Sequence, residues 1–342
     1  YISANGNAVE SFCIFSELGV NLLSENGILC YVLPESFLNV KLHSRTRDYL
    51  IHKTKFESVS YWGNVFDFVF APTILLRVRK KGNGCKEEGC VCVYDYVRER
   101  DYVIKRSEIG TSESLSFHVT DEEYDILEEI RKCSDVTYLK GHSEFALGIV
   151  TGDNTTYVSE NQLDGYEAVI KGSDVRKYNY YPSGNYIRFE PSKFQQVAPE
   201  YLYRAEEKLI YRFINERLIV AYDNRKVLTL NSCNIVIPKL ENLDVKYILA
   251  VLNSSIAQFY FNNTFNSVKV LRSHIEGIPI PNFPDRQAQI IEIVDNIIAC
   301  SDIKIRKELY KEIDDMIYGL YDLSSDSRKY IDTFCNKYEL VI

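Results

Sequence analysis

A run of six consecutive apolar residues at positions 28–33 constrains the fold of this chain more than any other feature. It follows a Ser-Glu-Asn-Gly turn, in which Gly27 is free to adopt a positive φ, and it ends at Pro34. A run this short without polar alternation is typical of a strand buried on both faces. The chain is therefore expected to contain a sheet with helices packed on both of its sides.

The segments around this run predict the rest of that sheet. They are helices at 8–23 and 36–51, strands at 57–62 and 73–78, and a loop at 63–67. Arg47 is expected on the polar side of the second helix. The order helix, strand, helix, strand, loop, strand is that of the second half of a doubly wound α/β sheet.

The 342 residues suggest about two domains, and no apolar run approaches the roughly 20 residues that span a bilayer. No membrane partner is therefore expected. The chain begins at Tyr1 without a signal-peptide pattern, which we interpret as the C-terminal piece of a longer protein. Nine scattered cysteines, an odd number, indicate reduced thiols and a cytoplasmic location. Among them Cys85, Cys90 and Cys92 lack the paired spacing of a zinc site, so no metal site is expected.

Charge divides the chain, whose formal net charge is -8. Residues 85–135 contain 7 basic and 14 acidic residues, a composition that disfavours contact with nucleic acid. Residues 169–226 contain 11 basic and 7 acidic residues, with tyrosines among them. We divide the chain into an α/β part at 1–82, an acidic connecting segment at 83–145, a β-rich domain at 146–285 and a helical tail at 286–342.

The basic, tyrosine-rich stretch is the main functional candidate. Nucleic-acid surfaces need cations for phosphates and planar groups for bases. Candidates are Lys171, Arg176, Lys177, Arg212, Arg217 and Arg225 as cations, and Tyr178 and Tyr222 as stacking rings. The alternative is an ordinary β-rich surface in a protein with many tyrosines.

Phe66 is a second candidate, because it lies in a loop between two predicted strands. Loops at strand ends of an α/β sheet line active sites, and an aromatic ring there could stack on a base. The alternative is that Phe66, Phe68 and Phe70 fill the core.

The order of several short motifs resembles the gamma class of adenine-N6 DNA methyltransferases, as found in type II and type IIG restriction-modification enzymes. In the α/β part they are Asn7-Ala8-Val9-Glu10-Ser11-Phe12, Leu33-Pro34-Glu35-Ser36 and Gly63-Asn64-Val65-Phe66. In the β-rich domain Gly148-Ile149-Val150-Thr151-Gly152, Ile170-Lys171-Gly172-Ser173-Asp174 and Leu252-Asn253-Ser254-Ser255 resemble the target-recognition domain of that family, which is shared with type I specificity subunits.

The resemblance implies a function. Residues 1–82 would be the C-terminal part of a Rossmann-like catalytic domain, followed by a target-recognition domain and the helical tail. Family members transfer a methyl group from S-adenosylmethionine to an adenine rotated out of double-stranded DNA, and Phe66, or alternatively Phe68, would pack against that base. Lys171, Arg176, Arg212, Asn215 and Arg217 would read base edges in the major groove.

The family's Asn-Pro-Pro-Tyr motif and donor-binding glycine turn are missing from this chain. S-adenosylmethionine would therefore be bound mainly by a preceding N-terminal part, and the chain alone is expected to be inactive. A restriction subunit or a fused nuclease is a further expected partner. The alternatives are a non-catalytic specificity subunit of a restriction-modification system, and an α/β protein with an unrelated interaction domain.

Overall fold

The structure, a computed structural model, describes residues 1–3, 9–68, 71–82, 89–106 and 109–336. The chain divides into two compact units, an N-terminal unit at Tyr1–Asp125 and a C-terminal unit at Ile126–Ile342.

The described helices and strands are bounded as follows. The α-helices are α1 Ser11–Leu22, α2 Ser44–Lys53, α3 Asp121–Arg131, α4 Asn154–Tyr157, α5 Glu200–Tyr203, α6 Val245–Asn253, α7 Ser255–Phe265, α8 Arg272–Glu276, α9 Gln287–Ala299, α10 Ile303–Tyr321 and α11 Ser325–Asn336. The strands are β1 Ile28–Pro34, β2 Thr54–Gly63, β3 Thr73–Lys80, β4 Val91–Asp95, β5 Arg100–Ile104, β6 Val136–Thr137, β7 Ser143–Ala146, β8 Val158–Ser159, β9 Glu167–Ile170, β10 Tyr186–Ile187, β11 Lys208–Arg212, β12 Val220–Asp223, β13 Leu228–Thr229, β14 Cys233–Pro238 and β15 Ile280–Pro281. Short 3-10 turns lie at Glu35–Leu38, Lys41–His43, Gly172–Asp174, Pro191–Lys193 and Pro284–Arg286.

The N-terminal unit is built on one sheet with the strand order β1-β3-β2-β4-β5. Strand β3 is antiparallel to both β1 and β2, so β1 and β2 run parallel to each other, and β2 pairs in parallel with β4. Val59, Ile74 and Val93 are fully buried in the core of this unit. The general prediction of a mixed α/β structure is confirmed, and the predicted strands at 57–62 and 73–78 lie within β2 and β3.

Strand β1 corrects the prediction that residues 28–33 are buried on both faces. Ile28, Cys30 and Val32 are exposed, whereas Leu33 is buried. The cause is position, because in the described part of the chain β1 lies at the sheet edge and pairs with β3 alone. Helix α1 covers one face so closely that a Cβ on Gly19 would lie 2.8 Å from a Leu29 methyl carbon.

The described residues between 89 and 145 differ from the acidic connector that the sequence predicted at 83–145. Strands β4 and β5 extend the N-terminal sheet because Val91, Val93 and Ile104 are apolar enough to be buried in its core. An acidic side chain can be buried here because an arginine neutralises it: Arg100 binds the buried Glu123 carboxylate at 2.9 Å. The boundary between the units falls at residue 125, inside helix α3.

Arg47 is fully buried, in contrast to the expected polar face of its helix. Its guanidinium donates hydrogen bonds to the carbonyl oxygens of Phe37, Val40, Ser112 and Glu113. These bonds satisfy carbonyl groups of two segments that lie outside the described strands.

The C-terminal unit contains two four-stranded sheets with the orders β13-β9-β10-β8 and β12-β11-β14-β7. Residues of both sheets share one core, for example Val169, Ile210 and Ile235. The strand pair β11–β12 is a hairpin in which Lys208 lies opposite Asp223, and its connecting loop spans residues 213–219. This loop is the part of the unit that positions the candidate site.

Helices follow the strands of these sheets in the sequence. The predicted helix at 244–261 is two helices, because Ser254 ends α6 and its hydroxyl accepts a hydrogen bond from Ala257 N at the start of α7. The predicted apolar stripes of the tail lie in α9 and α10, and α11 follows them. Among the described residues, no helix combines the length and apolar character that a membrane span requires.

Glu57 on β2 makes the stability of the N-terminal unit depend on pH. Burial raises the pKa of its carboxyl, but hydrogen bonds from Arg79 and Arg77 more than offset this, so the pKa lies below the ordinary 4.5. The ion pairs therefore stabilise the fold above about pH 4.5 and are lost as the pH falls through the lower folded value. We expect Glu57→Gln to remove about 1 kcal/mol or less of this acid-sensitive stability. Urea unfolding at pH 7 and pH 3 tests this, and an equal effect of the substitution at both pH values would contradict it.

Candidate nucleic-acid interface

Two arginines of the C-terminal unit converge on one backbone carbonyl. Arg212, the last residue of β11, donates from Nε and Nη2 to the Val175 carbonyl oxygen at 3.0 and 2.6 Å. Arg176 donates from Nη1 to the same oxygen at 3.0 Å and to the Ser173 carbonyl oxygen at 2.6 Å. Within the described residues, the other N–H groups of these two side chains have no protein partner. The shared carbonyl therefore holds two guanidinium groups together with donors to spare.

Arg217 adds a third positive charge. Burial lowers the pKa of Arg212, and the charges of Arg176 and Arg217 lower it further, whereas Asp174 opposes them. Arg176 and Arg217 thus both lie within electrostatic reach of Arg212. Arg217 is half-buried in the loop after β11 and makes no hydrogen bond or ion pair in the part of the chain that the structure describes. We call Arg176, Arg212 and Arg217 the arginine cluster.

The chemistry of such a cluster favours an anionic partner with paired acceptors. A guanidinium is a planar fork that matches phosphate oxygens and the O6 and N7 atoms of guanine. Like charges held close together repel, Asp174 offsets this repulsion only in part, and a bound polyanion relieves the rest. The cluster is therefore suited to a nucleic-acid backbone or to base edges.

The two predicted lysines differ in their surroundings. Lys171 is half-buried, and its backbone amide donates to the Asp174 carboxylate at 3.0 Å. Lys177 directs its ammonium to the Asn253 carbonyl oxygen at 2.7 Å. Lys177 is therefore held against the backbone of the helical part of its own unit.

The predicted stacking tyrosines are in the core, which corrects the sequence interpretation. Tyr178 is 2% exposed and stacks on Tyr310 at 5.2 Å. Tyr222 is 9% exposed, with its hydroxyl bonded to Glu207 and the Lys246 ammonium 5.4 Å from its ring centroid. Neither ring offers a free face to a base. Tyrosine supplies apolar area and one hydrogen bond at once, which suits a core that also contains polar groups.

Arg225 and Asn215 lie at different ends of β12. Arg225 is exposed beyond the end of the strand, with its guanidinium carbon 4.3 Å from the ring centroid of Tyr180. Asn215 precedes the strand, and its side-chain nitrogen is buried without a hydrogen-bond partner among the described residues. A four-residue strand spans roughly 13 Å. The predicted DNA-binding residues therefore fall into the arginine cluster with Asn215 nearby, and Arg225 separate from it.

The structure also reveals exposed residues that the sequence analysis missed. Ile214, between Phe213 and Asn215, is 67% exposed, and Val268 is 58% exposed. The segments that contain them pair through a bridge between Ile214 and Lys269. The signal in the sequence was an isoleucine inside a polar loop, which alone does not distinguish an exposed residue from a buried one.

In the N-terminal unit, the loop after β2 presents two aromatic rings. The strand ends at Gly63, whose φ is 68°. Phe66 is 51% exposed, and Phe68 is 98% exposed with a φ of 64°. The alternative that these two rings fill the core is therefore wrong, and Phe70 lies outside the described residues. The role of Phe66 at a rotated base stays a prediction.

The part of the chain that the structure describes contains no group of three or more histidine, cysteine, aspartate or glutamate side chains placed to hold a metal ion. Cys85 of the Cys85, Cys90 and Cys92 cluster lies outside the described residues.

Two family models match different parts of the chain. Residues 1–68 match the Eco57I restriction-modification methylase model, and residues 167–280 match the TaqI-like C-terminal specificity domain. The arginine cluster lies within the second match. The resemblance to restriction-modification methyltransferases with a specificity domain is thereby confirmed.

Individual proteins give the same picture. The chain is 21% identical over 360 aligned positions to a protein of Methanocaldococcus jannaschii assigned as a type II restriction enzyme and methyltransferase, covering 97% of this chain and 30% of that protein. It is 23% identical over 175 positions to the type II methyltransferase M.VspI of Vibrio sp. (strain 343), covering 51% and 42% of the two chains. The chain thus spans less than half the length of either relative.

Among solved structures, the type IIL restriction-modification enzyme MmeI in complex with DNA has a similar fold. The TM-score is 0.58 at 11% identity, covering 98% of this chain and 53% of that chain. This likeness shows that the two proteins share a fold.

Proposed function

We propose that this chain is the C-terminal part of a site-specific DNA methyltransferase, in which the C-terminal unit selects the DNA sequence. The observation that carries the proposal is the order, within one chain, of a methylase match at 1–68 and a specificity-domain match at 167–280. The reaction would be methyl transfer from S-adenosylmethionine to the N6 atom of adenine in double-stranded DNA. The enzyme would act in the cytoplasm, and a restriction subunit or a fused nuclease would act beside it.

The N-terminal unit would be the C-terminal half of the Rossmann-like methyltransferase sheet. Two features support this. The parallel direction of β1 and β2 is that of a doubly wound sheet, and β1 leaves an edge with exposed apolar residues such as Ile28 and Val32. Unpaired edge strands are normally blunted or covered, so further strands would pair along β1.

The residues of this chain do not make a complete site for S-adenosylmethionine. Asn-Pro-Pro-Tyr and the donor-binding glycine turn are missing from the sequence, and no described strand pairs along the outer edge of β1, where strands that bear such motifs would pair. When bound, S-adenosylmethionine supplies the electrophilic methyl group. The contribution of this chain would be to cover the rotated adenine with an exposed ring, Phe66 or Phe68.

In the C-terminal unit the arginine cluster would contact the duplex. Arg217, which lacks a protein partner among the described residues, and the spare donors of Arg176 and Arg212 could form paired hydrogen bonds to guanine or to phosphates. Lys171, Asn215 and Arg225 would add peripheral contacts. The buried Tyr178 and Tyr222 would support this surface from within.

Duplex binding and methyl transfer by this chain test the proposal together. We expect it to bind a mixed-sequence 30-base-pair duplex and to lose affinity steeply between 50 and 200 mM salt, because phosphate contacts release counterions. With labelled S-adenosylmethionine we expect no incorporation into DNA, because the donor site is incomplete. Fluorescence anisotropy and a filter assay measure the two quantities. Absence of duplex binding at low salt would overturn the proposed DNA recognition, and robust incorporation would overturn the argument from missing motifs.

A non-catalytic specificity subunit is the second candidate, and the match of residues 167–280 to a specificity domain favours it. The methylase match at 1–68 argues against it, since a specificity subunit has no use for part of a methyltransferase sheet. The coding sequence upstream of Tyr1 separates the two. An Asn-Pro-Pro-Tyr motif in the same reading frame supports the methyltransferase, and a start codon directly before Tyr1 supports the subunit.

A further inference from the structure

Two neighbouring segments of the C-terminal unit, residues 213–215 and 268–270, form a small exposed ribbon. The Asn215 amide donates to the Val268 carbonyl oxygen at 3.0 Å, and the Val270 amide donates to the Phe213 carbonyl oxygen at 2.8 Å. These bonds join two loops that are far apart in the sequence. We call these six residues the paired tip.

The paired tip is anchored on its own unit. Val270 is fully buried, and the Phe213 amide donates to the Ser232 carbonyl oxygen at 3.0 Å. The Glu216 carbonyl oxygen accepts hydrogen bonds from the side chains of Gln258 and Asn262 at 3.2 and 3.1 Å. The tip is therefore presented in a defined position, which lowers the entropic cost of binding a partner.

The anchored tip nevertheless exposes two aliphatic side chains, Ile214 at 67% and Val268 at 58%. Single exposed aliphatic residues are common, so exposure alone points to no partner. Here the two occur on hydrogen-bonded neighbouring segments whose hydrogen bonds fix their positions. Residues directly opposite each other in an antiparallel pair share a face, so Ile214 lies on the face of Lys269 and Val268 lies on the other face. Each side chain would therefore exclude water from a different apolar group of a partner.

The charges around the tip identify the chemistry of that partner. Lys269 lies opposite Ile214, while Arg212 and Arg217 flank the 213–215 segment. The one acidic residue between Arg212 and Arg217 is Glu216. Aliphatic side chains surrounded by cations match a DNA groove, where thymine methyl groups lie beside phosphates.

We propose that Ile214 and Val268 make apolar contacts with thymine C5-methyl groups in the major groove, and so contribute to sequence choice beside the arginine cluster. This rests on the proposed function of the unit in DNA recognition. A two-stranded ribbon is narrow enough to enter the major groove. The arginine cluster would bind the phosphate backbone of the DNA or the edge of a guanine, and the paired tip would distinguish thymine from cytosine.

The test begins with selection of bound duplexes from a pool with a randomised 14-base-pair centre. The enriched duplex is then made again with deoxyuridine in place of each thymine in turn, which deletes the C5-methyl group alone. We expect wild-type affinity to fall about three- to ten-fold at one or two positions, the scale of one buried methyl group. Ile214→Ser and Val268→Ser should lower affinity for the thymine duplex by a similar factor. At the corresponding position, each variant should no longer distinguish thymine from deoxyuridine.

Ile303→Ser is the matched control, because Ile303 is 57% exposed in the same unit but far from the tip in sequence. This variant should bind the thymine duplex with wild-type affinity and should lose affinity on deoxyuridine substitution by the same factor as the wild type. Thermal melting of all variants checks that they fold. If the wild type enriches no sequence, the proposed function fails together with this inference. If it enriches a sequence but Ile214→Ser and Val268→Ser keep the wild-type deoxyuridine response, this inference alone is overturned.

Discussion

Replacing Asp223 with alanine is expected to lower the free energy of unfolding of the C-terminal unit by about 3–5 kcal/mol. Its carboxylate binds the Lys208 ammonium, and both side chains are fully buried. Without it, Lys208 keeps, among the described residues, only the Tyr203 carbonyl oxygen at 2.6 Å as a partner. Burial already lowers the pKa of Lys208, and Asp223 opposes that effect, so the substitution leaves a buried charge without compensation.

Asp223 also holds the neighbouring backbone. Its carboxylate accepts hydrogen bonds from the amides of Arg225 and Val227 at 2.9 and 3.1 Å and from the Tyr180 hydroxyl at 2.6 Å. Because Lys208 and Asp223 close the end of the β11–β12 hairpin opposite the 213–219 loop, the loop depends on this network for its position.

Urea unfolding of the variant measures this effect, with Asp326→Ala as the control. Asp326 pairs with Lys329 at 3.6 Å, but these side chains are 93% and 79% exposed. Surface pairs contribute little, so Asp326→Ala should change stability by less than about 1 kcal/mol. A destabilisation by Asp223→Ala no larger than that of the control would mean that the buried pair does not hold the hairpin.

Replacing Arg217 with alanine is expected to weaken binding to the preferred duplex by about 1–3 kcal/mol, or roughly 5- to 150-fold. The free energy of unfolding of the Arg217→Ala variant should equal that of the wild type, because Arg217 has no hydrogen bond or ion pair among the described residues. Arg212→Ala should weaken binding by a similar amount and also reduce stability, since it removes two bonds to the Val175 carbonyl oxygen.

Arg188→Ala is the control for both arginine variants, because Arg188 is an exposed arginine of the same unit outside the cluster. It should lower affinity for all duplexes slightly and leave the sequence preference unchanged. Wild-type affinity and preference in both Arg212→Ala and Arg217→Ala would place the reading surface elsewhere on the unit.

The elements that depend on local pattern could be predicted from the sequence. Helices α9 and α10 follow apolar residues at helical spacing, and β2 and β3 follow short β-rich runs. The position of β1 at the sheet edge could not be predicted, because pairing is decided by distant strands. The membership of β4 and β5 in this sheet could not be predicted either, because the acidic residues around them are typical of an exposed connecting segment.

The candidate site shows a similar division. Charge bias located the stretch that contains Arg212 and Arg217, because an excess of cations in an acidic chain is visible in composition. Tyr178 and Tyr222 could not be assigned correctly, since tyrosine suits both a core and a stacking surface. Ile214 and Val268 were missed because their pairing joins segments more than fifty residues apart.

Sequence recognition by the arginine cluster is tested by selecting duplexes from a randomised pool with the wild-type chain and with Arg217→Ala, followed by sequencing. We expect the wild type to enrich one defined sequence, and the variant to lose preference at one or more positions of it while still binding DNA at low salt. Recovery of a random population by the wild type, or of the identical sequence with equal enrichment by Arg217→Ala, would contradict recognition of DNA sequence by the arginine cluster.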